Sequence, residues 1–278
     1  MKIQVINLDK RVDRWERVRK RLDAAELQYS RLSATTPETL PEAARKGVES
    51  MPEGLQISDV ELACFCSHIR AIEQIVIGDD SFGIIMEDDA VLAPSFKTAV
   101  TQLTKHMAVG DVVRLERVNP RMRLRIPAAN ISKDLQIFGL DRFDPGCGAY
   151  IVEREAAKRL VSNPYKSPIP IDLWLFDLQF PKPAGVRCRQ LVPAISIQQH
   201  LADGVPLEAS DSDIHHVRMH RVDELTVPGP QDNMSFVLRE WLRLTRRLKM
   251  MARRFRAGNP VFYRSRKMHV PFADDKIA

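Results

Sequence analysis

The stretch "FGIIMEDDAVLAP", residues 82–94, decides the fold. Its first half is a short run that is apolar on both faces, the pattern of a central strand in a parallel sheet. Its second half sets three carboxylates, Glu87, Asp88 and Asp89, at the end of that strand. Like charges so placed repel one another and resist burial, so a cation or water must compensate them. Residues two apart in an extended segment point the same way, so Glu87 and Asp89 can converge while Asp88 faces elsewhere. Carboxylates with water and phosphate oxygens are the shell that Mg²⁺ or Mn²⁺ prefers. A solvated acidic turn capping the following helix is the other reading, and spacing leaves both open.

Outward from that strand, the pattern alternates between elements. "KIQVINL" (2–8) reads as a first strand, and residues 9–25 space Val12, Trp15, Val18 and Leu22 as one apolar helix face. The dense charge around that face, including Arg17, Arg19 and Arg21, reads as solvated. Residues 34–58 are polar and rich in turn formers, and read as a long loop. "SDVELACFCSHIRAIEQIV" (58–76) opens with Ser58 as N-cap and Glu61 as its capping-box partner, and Gly78-Asp79-Asp80 ends that helix. Beyond the acids come a helix (95–107), a strand "DVVRLE" (111–116), and edge strands with loops (119–138). A strand running into a helix follows from Ala149, then an apolar helix carrying Asp172 and Asp177, and a late strand in 191–199. Such alternation predicts an α/β domain with a mostly parallel central sheet flanked by helices, its ligands at the carboxyl ends of the strands.

Composition is that of a globular chain: 278 residues, 44% hydrophobic and 28% charged. No apolar run reaches the length of a membrane span, and the apolar stretch at the N-terminus is too short for a signal peptide. The expected location is cytoplasmic. The four cysteines contain no C-x-x-C pair. Helical spacing puts Cys64 and His68 on one face with Cys66 opposite, so these three cannot share a metal, and the cysteines read as reduced and structural.

Net charge is +6, yet residues 237–256 alone carry +7, which leaves the remainder at −1. In that segment Val237, Trp241, Leu244, Leu248, Met251 and Phe255 form an apolar seam among arginines. A basic amphipathic helix of this kind suits an anionic membrane surface, a coiled-coil partner or packing on the main domain, and the membrane reading is favoured. Nucleic acid is disfavoured, because the near-neutral body offers no second basic surface. The expected division is a main domain over 1–230 and a basic helix with tail over 231–278.

Five motifs in order resemble glycosyltransferase family 25, the lipopolysaccharide-type galactosyltransferases related to collagen glycosyltransferases. They are "VINLDKRVDRW", "VELACFCSHIRAI", "GIIMEDDAVL", "GCGAYIVEREAAKRL" and "PIDLWL". Val60 stands where that family usually has glycine. The resemblance implies a GT-A fold and inverting transfer of a hexose, usually galactose, from UDP to a sugar hydroxyl of a glycan such as lipopolysaccharide. It implies a divalent metal, Mn²⁺ or Mg²⁺, held by Asp89 with Glu87 or Asp88 assisting. Asn7, Arg11 and Arg14 fall where the family binds nucleotide, and Ser67 and His68 match its Ser-His pair near the donor. His68 as a satisfied structural histidine is the alternative. Asp172 is the first choice for general base, with the N-cap of its helix as the other role; Asp144 and Glu153 are weaker choices for the base. A further metal ligand is expected from His200, His215 or His216. Two rival functions stay open: a non-catalytic sugar-nucleotide or membrane-binding protein, and a sugar nucleotidyltransferase, although no glycine-rich N-terminal phosphate loop supports the latter.

Overall fold

The computed structural model describes residues 2–52, 56–142, 144–178, 180, 182–202, 204 and 264–273. β1 (Ile3–Asn7) and α1 (Val12–Ala24) open the chain as the sequence predicts, and α1 buries Val18 and Leu22. β2 (Tyr29–Ser33) follows with only Leu32 buried, so no hydrophobic pattern announces it. The expected long loop instead holds a 3₁₀ turn (Pro37–Thr39) and α2 (Glu42–Glu49). α2 buries only Ala44 and Gly47, and Gly47 lies against the backbone of Tyr165. A helix that packs through small residues leaves no apolar stripe to read.

α3 (Asp59–Ile77) has the anticipated capping box. Ser58 Oγ accepts the Glu61 amide at 3.3 Å while Glu61 Oε2 accepts the Ser58 amide at 3.1 Å. The helix continues through Val60 and stops at Gly78. β3 (Phe82–Glu87) returns beneath it, and Gly83 allows close approach because a Cβ there would overlap Ile75. Next come β4 (Ala90–Leu92), α4 (Phe96–Thr104), β5 (Asp111–Arg114), β6 (Arg121–Asn130) and β7 (Gln136–Leu140). β8 (Ala149–Glu153), α5 (Arg154–Leu160), α6 (Ile171–Phe176), β9 (Arg187–Val192), β10 (Ser196–Gln198), α7 (Gln199–Ala202) and β11 (Ser265–His269) complete the described elements.

Nine strands form one sheet in the order β11-β6-β7-β9-β5-β8-β3-β1-β2. Six of them (β2, β1, β3, β5, β9 and β6) run in one direction, while β8, β7 and β11 run against it. The sheet is therefore mostly parallel in direction, as expected, with β8 inserted antiparallel between β3 and β5. Alternate side chains feed two cores. Ile85, Tyr150 and Val152 pack with α3, α5 and α6 on one face, and Ile84, Met86 and Ile151 pack with α1 and α4 on the other.

β11 lies within the segment 231–278 set apart from the sequence, yet it pairs antiparallel with β6 at the sheet edge. The basic stretch 237–256, His215 and His216 lie outside the described residues. Among the described residues no helix is long and apolar enough to cross a membrane.

Candidate active site

β1, β3 and β5 end on the same edge of the sheet, and β8 begins there, so the edge gathers Asn7, the acidic triplet and the residues just before Ala149. The Glu87 amide donates to the Gly148 carbonyl at 2.8 Å, and the Gly148 amide donates to Glu116 Oε2 at 2.6 Å. Glu116 follows β5 as Glu87 ends β3, and Gly148 bridges the two. A Cβ on Gly148 would come within 3.2 Å of Gln198 Nε2 and 3.3 Å of Glu116 Oε2, so a larger residue there would crowd both.

The three consecutive acids meet three different environments. Asp88 is tied down: Asn7 Nδ2 donates to its Oδ2 at 2.7 Å, and Arg14 lies 3.4 Å from its Oδ1. Asn7 is itself oriented by Arg31, whose Nε donates to Asn7 Oδ1 at 2.9 Å, and by the Arg11 carbonyl at 3.1 Å. Burial raises the Asp88 pKa, and the Asn7 and Arg14 contacts work against that rise.

Asp89 has no such support. Its Oδ1 is buried without a hydrogen-bond partner, and burial, then Glu87 and Asp88, push its pKa up to about 7. Glu116, only 1% exposed, has Oε1 in the same condition, and burial, then Glu87, push its pKa up to about 8. Two buried carboxylate oxygens without donors, each within electrostatic reach of the other, fit a hard divalent cation: it would neutralise both and accept both as ligands. The Asp89 carbonyl also accepts the Gln199 amide at 2.9 Å, which seats the start of α7, and with it His200, against this loop.

Glu87 turns to a different partner. His68, 1% exposed on α3, has Nε2 at 3.1 Å from Glu87 Oε1 and Nδ1 at 2.9 Å from the Tyr150 hydroxyl. Cys64, one helical turn before His68, completes a group with His68 and Glu87 whose ligand atoms lie within 4.8 Å of one another. Cys147 Sγ stands 3.9 Å from both His68 Nε2 and Glu87 Oε1. Cys66 points elsewhere, as helical spacing predicts; it is in contact with Tyr165, and burial raises its thiol to about 11. The four cysteines, all among the described residues, form no disulfide.

Asp172 lies in the first turn of α6 and is 6% exposed. Pro170, not Asp172, takes the N-cap position, and Asp172 Oδ1 accepts the adjacent Leu173 amide at 2.9 Å. Within electrostatic reach of it is Arg114, wholly buried, which donates to the Asp144 carbonyl at 2.8 Å and stacks 4.2 Å over the Phe176 ring. Arg114 Nε and one terminal nitrogen lack partners, and its electrostatic neighbours are Glu116, Asp144, Cys147 and Asp172.

Other expected residues lie apart from this edge or serve the fold. Glu153 caps α5 at the opposite end of β8, so it drops out as a base. Ser67 Oγ donates to the Ala63 carbonyl at 2.7 Å and accepts the Thr35 amide at 2.9 Å, tying α3 to the segment after β2. Arg11 pairs with exposed Asp13 at 3.0 Å. Arg17 and Arg19 do form a solvated face, but Arg21 reaches the Ala90 carbonyl at 3.1 Å and the Gln199 side chain, linking α1 to β4 and α7. Sequence reasoning passed over Glu116, Arg114, Cys147 and Tyr150. Glu116 alone left a signal: "DVVRLE" is an apolar strand ending in an acid, like "GIIMED".

The family described as Glycosyltransferase family 25 (LPS biosynthesis protein) matches residues 1–175. Procollagen galactosyltransferase 1 of Danio rerio is 25% identical over 183 residues, covering 62% of this chain and 30% of that protein. The chain thus spans less than a third of that relative's length. Among solved structures it is similar to mannose-1-phosphate geranyltransferase from Thermus thermophilus, with 11% identity, TM-score 0.31, and coverage of 68% of this chain and 72% of that one. It is also similar to the inositol-1-phosphate CTP transferase from T. maritima, with 10% identity, TM-score 0.34, and coverage of 71% and 69%. Scores this low carry no argument about function.

Proposed function

The chain belongs to glycosyltransferase family 25, and on that premise we propose that it is a metal-dependent, inverting glycosyltransferase. It moves a hexose, galactose first among candidates, from a UDP-sugar to a hydroxyl of a surface glycan such as a lipopolysaccharide core. The observation that carries the reading is the pair of buried, partnerless carboxylate oxygens on Asp89 and Glu116 at the carboxyl edge of the sheet. An α/β sheet binds its ligands at that edge.

In this reading Asp89 is the principal metal ligand, Glu116 lies within its electrostatic reach and His200 comes from α7, while Glu87, held by His68, acts on the site through its charge alone. A bound Mn²⁺ or Mg²⁺ supplies the positive charge that UDP needs as it departs. Asn7 and Arg14 hold Asp88, and so fix the backbone from which Asp89 projects. Arg14 also faces the nucleotide. Asp172 takes the proton of the acceptor hydroxyl while that oxygen attacks the sugar C1 opposite the UDP oxygen. The new C1–O bond forms as the C1–O bond to UDP breaks, which inverts the anomeric centre.

The test is UDP release from a panel of UDP-sugars, with Mn²⁺ and with EDTA, for wild type and Asp89→Asn. Release from one UDP-hexose that needs metal and disappears in the variant is the expected result. Folded wild-type protein that neither binds nor hydrolyses any UDP-sugar would overturn the reading. We further propose that the basic segment 237–256 holds the enzyme on the cytoplasmic face of an anionic membrane, beside glycolipid acceptors. Co-sedimentation with anionic but not neutral vesicles checks this, and binding to neither would refute it.

A further inference from the structure

The contacts around His68 are unlike those of an ordinary buried histidine. Three side chains of metal-ligating type, Cys64 and His68 from α3 and Glu87 from the end of β3, place their ligand atoms within 4.8 Å of one another, and a fourth, Cys147 from the segment before β8, stands 3.9 Å from two of them, His68 Nε2 and Glu87 Oε1. The edges on which this rests measure 3.1 Å (His68 Nε2 to Glu87 Oε1) and 3.9 Å (Cys147 Sγ to each of those atoms). Tetrahedral Zn²⁺, with bonds of about 2.0–2.3 Å, requires ligand–ligand edges of roughly 3.3–3.8 Å. The His68, Glu87 and Cys147 atoms already stand near those edges, and a rotation of the Cys64 side chain toward them would complete the four-ligand shell.

We propose that Cys64, His68, Glu87 and Cys147 form a thiolate-rich Zn²⁺ site, separate from the hard-cation site at Asp89. The donor set selects the metal. Two sulfurs and an imidazole suit Zn²⁺ and exclude Mg²⁺ or Ca²⁺ as the natural occupant. The supporting contact is also present, because a ligating imidazole needs its second nitrogen held, and the Tyr150 hydroxyl lies 2.9 Å from His68 Nδ1. The ion would bind Nε2, leaving Nδ1–H to donate to the tyrosine oxygen. Burial of His68 at 1% and Cys147 at 5% keeps bulk water off the centre, while the 26% exposed Glu87 side chain gives an ion its way in.

Charge is consistent with this assignment. Binding expels the two thiol protons to solvent, and the ion with two thiolates, one carboxylate and a neutral imidazole carries a net single negative charge. Arg114, buried with unpaired nitrogens and within electrostatic range of Cys147, offsets it. The centre would cross-link α3, β3 and the approach to β8, and clamp the residue immediately before Asp88 and Asp89. It is a structural site and does not depend on the transfer reaction.

The probe is Co²⁺ added to the reduced, metal-stripped full chain. The expected result is saturation at about one equivalent, with thiolate-to-cobalt charge-transfer absorption and the strong visible bands of tetrahedral cobalt, all bleached by Zn²⁺. Cys64→Ser and Cys147→Ser should each remove most of the charge-transfer intensity, while Cys188→Ala and Asp89→Asn leave it intact. Zn²⁺ should also raise the thermal midpoint of wild type but not of Cys147→Ser. Weak octahedral cobalt bands in wild type with all four thiols reduced would overturn the proposal. So would a charge-transfer band that survives in both cysteine variants. Because Asp89→Asn keeps the cobalt spectrum while losing UDP release, failure of the transferase reading and failure of this site are distinguishable.

Discussion

Glu153, which ends β8, and Glu116, which follows the neighbouring β5, are both buried glutamates, at 8% and 1% exposure, and they sit at opposite edges of the sheet. At one edge Glu153 accepts three backbone amides, from Gly110 at 2.7 Å, Glu155 at 3.0 Å and Ala156 at 3.1 Å. Every donor around it belongs to the fold. At the other edge Glu116 accepts one amide, that of Gly148, and one of its oxygens has no donor. The same residue type at similar burial thus closes a structure at one edge and leaves coordination capacity at the other. A fold meets the desolvation cost of a carboxylate with its own amides unless a ligand is to meet it instead.

That contrast can be broken or sharpened by experiment. The largest effect is expected from Asp89→Asn, which should drop metal-dependent UDP release to background while leaving the circular-dichroism spectrum unchanged. Asp172→Asn should lower kcat by about 10²–10⁴-fold with little change in the KM for the donor, since it removes only the proton acceptor; steady-state kinetics reads the split.

The acids at the ligand edge should also make stability depend on pH in the cation-free protein. Asp89 and Glu116 have folded pKa values raised to about 7 and about 8, from usual values of 3.8 and 4.5. Protonated, they are tolerated; ionised, they oppose burial. Their favourable contribution is therefore complete below about pH 4 and is lost as pH climbs through 7 to 8. In EDTA the thermal midpoint should fall over that window, and Mn²⁺ should restore it by several degrees at pH 8 but not at about pH 4.5. Glu116→Gln should flatten the fall. The smallest effect belongs to Glu153→Ala, which should cost about 1–2 kcal/mol in urea unfolding and leave turnover per folded molecule unchanged. A large loss of turnover in that variant would dissolve the distinction between the two edges.

What the sequence disclosed follows from how local each signal is. β1, α1, the Ser58–Glu61 capping box and the strand leading into the triplet were readable because period and cap chemistry act within a few residues. The direction of β8 was not: "AYIVE" has the same apolar pattern whichever way it runs, and its placement between β3 and β5 is a long-range decision. The approach of Cys147 to His68 was equally hidden, since residues about eighty positions apart carry no spacing rule. Within the triplet, alternation paired Glu87 with Asp89, but the structure separates the three acids: Glu87 meets His68, Asp88 meets Asn7 and Arg14, and Asp89 keeps a buried oxygen without a hydrogen-bond partner. Arg21 looked solvated because its helix face is charged, and only the arrival of β4 and α7 beside it gives it bonds.

β11 has a consequence for how the chain is made. It is the outermost strand beside β6, and it comes from residues 265–269, long after the rest of the sheet. During synthesis at about 5–20 residues per second, the ribosome needs roughly 3–13 seconds to go from Ala202 to His269. For that interval the half of β6 that β11 will pair, Arg121–Arg125, lacks its outer partner. A chain stopped before residue 265 would lack the strand that pairs with Arg121–Arg125, and that stretch of edge is where association with another chain would begin.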